Sequence, residues 1–501
     1  MSNRADNRAA TPAADGMPGR PRGRAAGRTP NKWASLAILS LTQLVVVLDG
    51  TIVNVALPQA QFELDLSDSQ RQWVVTAYAL AFGALLLLGG RVADYWGRKR
   101  TYLVGMVGFG IASLLGGLAQ TGELLILARG LQGAFAALLA PAALALLTVT
   151  FPYGKDRNTA FAVFGTIAGT GAAVGLVLGG VLTEFADWRW CLYINVVFVL
   201  IALVGGIRIL AESKAAGDNK YDLAGAVTVT LGLGAVVYGF SLAEGGWGSA
   251  DTIGFLALGA GLLVAFVVIE SRVAQPLLPL RIVTDRVRGG AFLIQAVVGI
   301  VMIGSTLYLA LHLQLVLGFQ PLEAGLANLP LTLVIMVVAP IATKLLPAIG
   351  PRPLLVFGPL ITAGGLVLLS GVTADGSYLT QVLPGLIVMG VGMAMVFVPI
   401  QNLALAGVEP HDAGAASATA NSAVQIGGSV GLSVFTAVYV SVSAQAQSNG
   451  NPLVAMADGH SAVFIGAAIA MVVASIIAAT MIRGDKSVLM PDHGEHAQPA
   501  L

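Results

Sequence analysis

Charge is scarce in this sequence: only 11% of its 501 residues are Asp, Glu, Lys or Arg, while 56% are hydrophobic. A water-soluble fold of this length needs far more charge to cover its surface, so the composition requires a membrane protein. Cysteine is nearly absent, and the single one, Cys191, excludes an internal disulfide and a thiolate metal cluster. There is no G-x-x-x-x-G-K-[ST] phosphate loop, no histidine–glutamate zinc pattern and no nucleophile elbow. Neither ATP drive by this chain nor catalysis is expected, nor any cofactor or metal. The arginines near the amino terminus lack interleaved aromatics, which argues against a nucleic-acid partner.

Glycine is plentiful instead, at 62 residues. Small residues let membrane helices approach closely, so the count points to many packed spans. A span needs about 20 largely apolar residues. Candidates lie at 33–58, 73–93, 101–119, 123–148, 160–184, 190–211, 222–242, 251–270, 289–314, 323–346, 353–373, 380–404, 412–440 and 461–482. These make about fourteen. Connections on one side hold Arg98, Lys99, Arg100, Lys155, Arg157, Lys214, Lys220, Arg281, Arg286, Arg288, Lys344, Arg352, Arg483 and Lys486. The other side has only Arg71 and Arg189 as bases, against acids that include Glu63, Asp65, Asp68, Asp187, Asp251, Asp375 and Asp458. The positive-inside rule then places both chain ends in the cytoplasm. Residues 1–32 are rich in Arg, Ala, Pro and Gly and lack the apolar stretch of a signal peptide. They are expected to be a disordered cytoplasmic tail able to touch anionic lipid, with 484–501 as a second tail.

A faint internal repeat divides the rest. "GRKRTYLVG" (97–105) is echoed by "GPRPLLVFG" (350–358), and "VGLVLGG" (174–180) by "VGLSVFT" (430–436). Both pairs are offset by roughly 255 residues, as two six-helix halves separated by a two-helix insert require. The halves are 33–211 and 289–483, and 212–272 carries the linker and the insert.

One acid stands out. Asp49 lies inside "VVVLDGTIVNVALPQ" (45–59), where a charge at the bilayer centre costs about 3 kcal/mol and tends to be functional or paired. Counting 1.5 Å per residue, it sits roughly 14 Å below an outer helix end at Pro58, and Arg129 roughly 9 Å below the same surface. Between the second and third spans, "GGRVADYWGRKR" (89–100) places Gly90 and Gly97 where a tight turn is needed, Asp94 at a helix end, and a basic cluster of Arg98, Lys99 and Arg100. The acid can meet a helix dipole or the adjacent arginines.

The G-x-x-x-D-x-x-G-R-K spacing of that loop resembles the signature loop of the major facilitator superfamily. The resemblance extends over nearly all of 33–483. "LDGTIVNVALP" (48–58), "LARGLQGAFAALLAP" (127–141), "GTGAAVGLVLGG" (169–180), "DWRWCLYIN" (187–195) and "HDAGAASATANSAVQIGGSVG" (411–431) are similar to segments of its fourteen-span drug:proton antiporter branch. The pattern is not complete: Tyr95 stands where the loop usually has a base, and Leu176 replaces the proline of the fifth-helix antiporter motif. Gly171, Gly175, Gly179 and Gly180 of that motif remain.

The resemblance implies an all-α integral membrane protein with the major facilitator fold, two six-helix halves plus two extra helices, rocking around a midplane site. It also implies proton-coupled export of lipophilic, amphipathic or cationic small molecules across a bacterial inner membrane, by a monomer in contact with lipid. Asp49 and Arg129 would then line the cavity of the first half. They form either a switchable proton-coupling pair or a permanent salt bridge, with Gln132 and Asn54 supplying further hydrogen bonds. Tyr78, Phe135, Phe161, Phe164, Tyr308, Met393 and Phe397 are the expected cavity wall, apolar and adaptable. His312, near the outer end of the ninth span, is either a tyrosine substitute at the interface or a second proton site. Glu184, Glu244 and Glu323 are expected to be solvated at outer helix ends. A lipid or single-metabolite exporter and a non-transporting membrane sensor or scaffold are the alternative functions.

Overall fold

The computed structural model describes residues 31–152, 154–214, 222–243, 246–273, 275–406, 408, 413–447 and 451–483. Glu244, His411 and nearly all of both tails lie outside the described residues. Among those described, the chain forms fourteen long helices and one short one. They are α1 (Lys32–Glu63), α2 (Asp68–Trp96), α3 (Arg98–Gly117), α4 (Gly122–Thr150), α5 (Lys155–Phe185), α6 (Trp190–Ile209), α7 (Leu223–Leu242), α8 (Ala250–Glu270), the short α9 (Leu280–Thr284), α10 (Arg286–Leu311), α11 (Pro321–Ile349), α12 (Pro351–Leu369), α13 (Leu383–Leu405), α14 (Ala413–Gln447) and α15 (Pro452–Met481). Thirteen are long and apolar enough to cross a membrane. The fourteenth, α3, carries Arg98, Lys99 and Arg100 in its first turn.

Helix α1 runs five residues beyond Pro58, so Asp49 lies near its middle, about 21 Å from its end rather than 14 Å. A proline inside a helix removes one backbone donor and crowds the carbonyl four residues back. The turn before it is supported from the second half, where the Gln314 side chain donates to the Val55 carbonyl at 3.1 Å.

The two halves repeat one packing scheme. The first helix of each packs on the fourth, fifth and sixth, α1 on α4, α5 and α6, and α10 on α13, α14 and α15. Likewise α3 lies on α4 and α6, as α12 lies on α13 and α15. Gly97 (φ 125°) and Gly350 (φ 78°) open the equivalent helices α3 and α12 in conformations that disfavour any other residue. The inserted α7 covers the seam between α2 and α14, where Trp73 and Ser69 meet Ser241 at 3.0 and 3.1 Å.

The basic loops gather at one end of the bundle and the acidic loops at the other. At the acidic end the halves are tightly apposed: Gly180 packs on Leu322, Gly325 on Leu176, and Gln72 donates to Ser433 at 2.6 Å. Toward the basic end they part. No described residue of α5 from Phe161 to Thr170 is buried, and a Cβ added at Gly165 or Gly169 would meet nothing within 4 Å. The structure is sealed at the acidic end and open toward the basic end.

Candidate functional site

Asp49 is fully buried and held by three donors. Arg129 Nη1 reaches Oδ2 at 2.7 Å, while Gln132 Nε2 and Asn195 Nδ2 reach Oδ1 at 3.1 and 2.6 Å. Arg129 in turn donates through Nη1 to Gln132 Oε1 at 3.0 Å and through Nε to the Val74 carbonyl at 3.2 Å. Its guanidinium lies 4.4 Å from the centre of the Tyr78 ring, whose hydroxyl donates to the Val46 carbonyl. Gln132 also donates to Ser113 Oγ at 2.8 Å. Five helices, α1, α2, α3, α4 and α6, therefore converge on one carboxylate. Both carboxylate oxygens and the Nε and Nη1 of the guanidinium are met by partners, which offsets part of the cost of burying the pair.

Asn54 is absent from the network. It is buried with its Oδ1 unpaired among the described residues, and Asn195 of the "DWRWCLYIN" segment takes the place expected of it. A neutral amide in an apolar run carries no charge penalty, so nothing in the sequence singles out Asn195.

Helix α5 supports this part of α1. Gly171, Gly175 and Gly179 recur every four residues and face α1, where added Cβ atoms would come within 3.2 Å of Val47, 2.1 Å of Thr51 and 2.9 Å of the Ile52 carbonyl. Gly180 faces α11 instead, with Leu322 Cα at 2.6 Å. Leu176 is buried at the same α5–α11 contact within an unbroken helix.

The basic loop is a tied corner. Asp94 accepts from Arg98 Nη2 and Nε at 2.8 and 3.1 Å. Three bases in the first turn of α3 oppose its dipole, and Glu212 beyond α6 answers them by accepting from the backbone N–H groups of Lys99 and Arg100 at 3.0 and 3.1 Å. Lys99 Nζ reaches the Ile207 carbonyl at 2.8 Å. Gly97 forms the turn, whereas Gly90 is helical and roomy; its neighbour Gly89 is the close contact, 1.9 Å from the Ala137 carbonyl to an added Cβ.

The expected cavity wall divides in two. Tyr308 and Met393 are fully buried in the second half's core, Tyr78 and Phe135 belong to the first half's core, and Phe397 packs against the second. Only Phe161 and Phe164 border the open stretch of α5. Beside them a groove of about 380 Å³ runs between α1 and α5, lined by Trp33, Leu36, Ser40, Leu44, Val163 and Ile167 among others. Ser40 Oγ is buried there without a partner among the described residues.

His312 is not interfacial. It is fully buried in a π-turn that ends α10, with its Nδ1 3.3 Å from Nδ1 of His460 on α15. At the acidic end Glu184 accepts from the Leu322 backbone N–H at 3.1 Å, and Glu323 accepts from the Gln320 backbone N–H at 3.1 Å.

Comparison with known proteins adds an independent line. Residues 39–432 match the family model described as Major Facilitator Superfamily. The chain is 47% identical over 438 residues to the puromycin resistance protein of Streptomyces alboniger, covering 86% of this chain and 87% of that one. It is 36% identical over 455 residues to the cephamycin export protein of Amycolatopsis lactamdurans, covering 90% and 92%. In fold it is similar to the crystal structure of a bacterial homologue of the human lysosomal transporter Spinster, with a TM-score of 0.62, 17% identity, and coverage of 91% of this chain and 98% of that one.

Proposed function

The chain belongs to the Major Facilitator Superfamily of membrane transporters, and from that premise we propose that it exports lipophilic or amphipathic compounds, antibiotics among them, in exchange for protons. The basic end faces the cytoplasm of a bacterial cell, as the distribution of Lys and Arg supports. Compounds enter the apolar groove beside α5 from that side and leave when the halves rock.

The observation that carries the coupling is the Asp49 site. A carboxylate at mid-helix, met by one charged and two neutral donors, is suited to switch between two arrangements as it gains or loses a proton. Ionised, it clamps α1 to α4 and α6. Protonated, it loses the ionic attraction to Arg129, and α1 is freed to shift along the glycine face of α5. Relatives named for resistance to puromycin and for export of cephamycin support the substrate class.

The test is uptake of a fluorescent lipophilic monocation into proteoliposomes under an imposed pH gradient, wild type against Asp49→Asn. Gradient-driven uptake that the variant loses, at equal insertion, is expected. Equal uptake without a gradient, or an unimpaired variant, would make Asp49 a structural partner of Arg129.

A further inference from the structure

A second buried titratable group lies outside the Asp49 network, and a chain of contacts leads from it to the seam between the halves. His312 and His460 are both buried, their rings 5.4 Å apart at 84° and their Nδ1 atoms 3.3 Å apart. Two imidazoles that meet through Nδ1 share a single hydrogen, so one ring donates and the other accepts. His312 Nε2 has no hydrogen-bond partner among the described residues. The ring of Tyr439 on α14 stacks on His460 at 5.2 Å, and the Arg71 guanidinium of α2 lies 5.7 Å from the centre of that tyrosine. The tyrosine thus separates an arginine of the first half from the histidines of the second.

We propose that His312 and His460 form a second proton-binding site, which takes up a proton when the acidic end opens and opposes its resealing until the proton leaves. The proposal rests on the reading of the chain as an alternating-access transporter. The pair itself supplies the receptor: the added proton turns an imidazole pair into an imidazole–imidazolium pair with a charge-assisted N–H···N bond. In the sealed form that charge is unsupported. Facing the pair are Tyr308 from α10, Tyr439 from α14, and Arg71, which is paired with Asp68, from α2. Asp458 is exposed, and neither imidazole has an acidic ion-pair partner among the described residues. A protonated pair therefore lies in low dielectric near a like charge, and separation of α2 from α14, which admits water, relieves it. His460 lies eight residues into α15, about 12 Å from the acidic end, so protons arrive and leave through that end. The pair does not carry protons across the membrane. It makes the acidic-side pH a control on which state is populated.

The sequence has five histidines. In full-length protein with His411, His493 and His496 replaced by Gln and a histidine-free tag, ¹⁵N-histidine NMR in nanodiscs reports the pair alone. In parallel, spin labels at Phe62→Cys and Leu453→Cys, with Cys191→Ala, measure the gap across the acidic end. Between pH 8 and pH 5 the imidazole nitrogens are expected to shift to imidazolium values as a longer label distance grows in. That distance change is expected to disappear in His312→Gln/His460→Gln and to persist in Asp49→Asn. Imidazoles that stay neutral to pH 5, or an opening that survives loss of both histidines, would overturn the proposal. Loss of the opening in Asp49→Asn with the imidazoles still neutral would overturn it too, and would leave Asp49 coupling standing. Transport without a pH gradient would defeat Asp49 coupling without touching the histidine result.

Discussion

Gly175 of α5 and Thr51 of α1 are so close that a Cβ on the glycine would stand 2.1 Å from Thr51 Oγ1 and 3.0 Å from the Leu48 carbonyl. The helix that carries Asp49 is thus laid directly on a backbone surface without side chains. Gly175→Ala is expected to destabilise the protein by about 1–3 kcal/mol, the usual cost of overpacking. Thr51→Ala should restore part of that loss, since it removes the nearer clash and leaves only the carbonyl. Cys191 is the sole cysteine and is buried, so a thiol-reactive fluorophore reads the unfolding midpoint of all these variants in detergent. Equal midpoints for wild type and Gly175→Ala would show that α1 and α5 adjust freely.

Arg129 is predicted to matter more for fold than Asp49 does. Arg129→Gln strands an ionised carboxylate among buried groups, for an expected loss of about 3–5 kcal/mol. Asp49→Asn/Arg129→Gln removes both charges and should melt closer to wild type than Arg129→Gln alone, although neither transports. Arg129→Lys keeps a charge without the fork that serves Asp49, Gln132 and the Val74 carbonyl, and should fall between them. A double variant less stable than the single would show that the pair is not the stabilising unit.

The groove between α1 and α5 gives a prediction about substrate. Ala37→Trp fills part of its volume of about 380 Å³ without touching Asp49. The KM for a bulky dye should rise severalfold, while the melting midpoint and the gradient dependence stay unchanged. An unaltered KM would place the substrate path elsewhere.

The order of helices was legible because each span is a long apolar run, and the sequence motifs led to the family that the match over residues 39–432 shows. Asp49 and Arg129 were legible for a related reason: charge inside an apolar run is conspicuous. The partners that complete the site were not. Asn195 is neutral, and His460 sits among alanines and glycines with nothing in its spacing to tie it to a residue 148 positions away. Pro58 suggested a helix end, yet the backbone continues to Glu63, and Gln314 of the π-turn after α10 bonds the Val55 carbonyl in the turn before the proline. Of two adjacent glycines, Gly89 packs and Gly90 does not, a distinction set by helix rotation against α4.

Glu212 shows what a local imbalance implies. Arg98, Lys99 and Arg100 begin α3 at the positive end of its dipole, an arrangement that requires an acid from elsewhere. The Glu212 carboxylate provides it, and Ser213 adds a carbonyl that accepts from the Arg98 backbone N–H at 2.9 Å. Glu212→Ala should cost about 1 kcal/mol of local stability, comparable to loss of a helix cap. That is enough to fray the first turn without unfolding the bundle. Trypsin should then cut after Arg98, Lys99 or Arg100 several times faster than in wild type, yielding an amino-terminal fragment identifiable by mass. The same digestion tests orientation: acceleration is expected in inside-out vesicles, where the basic end is accessible, and not in sealed right-side-out ones. Faster cleavage from the opposite face would reverse the topology. Cleavage unchanged on both faces would mean that the Asp94–Arg98 pair alone holds the corner.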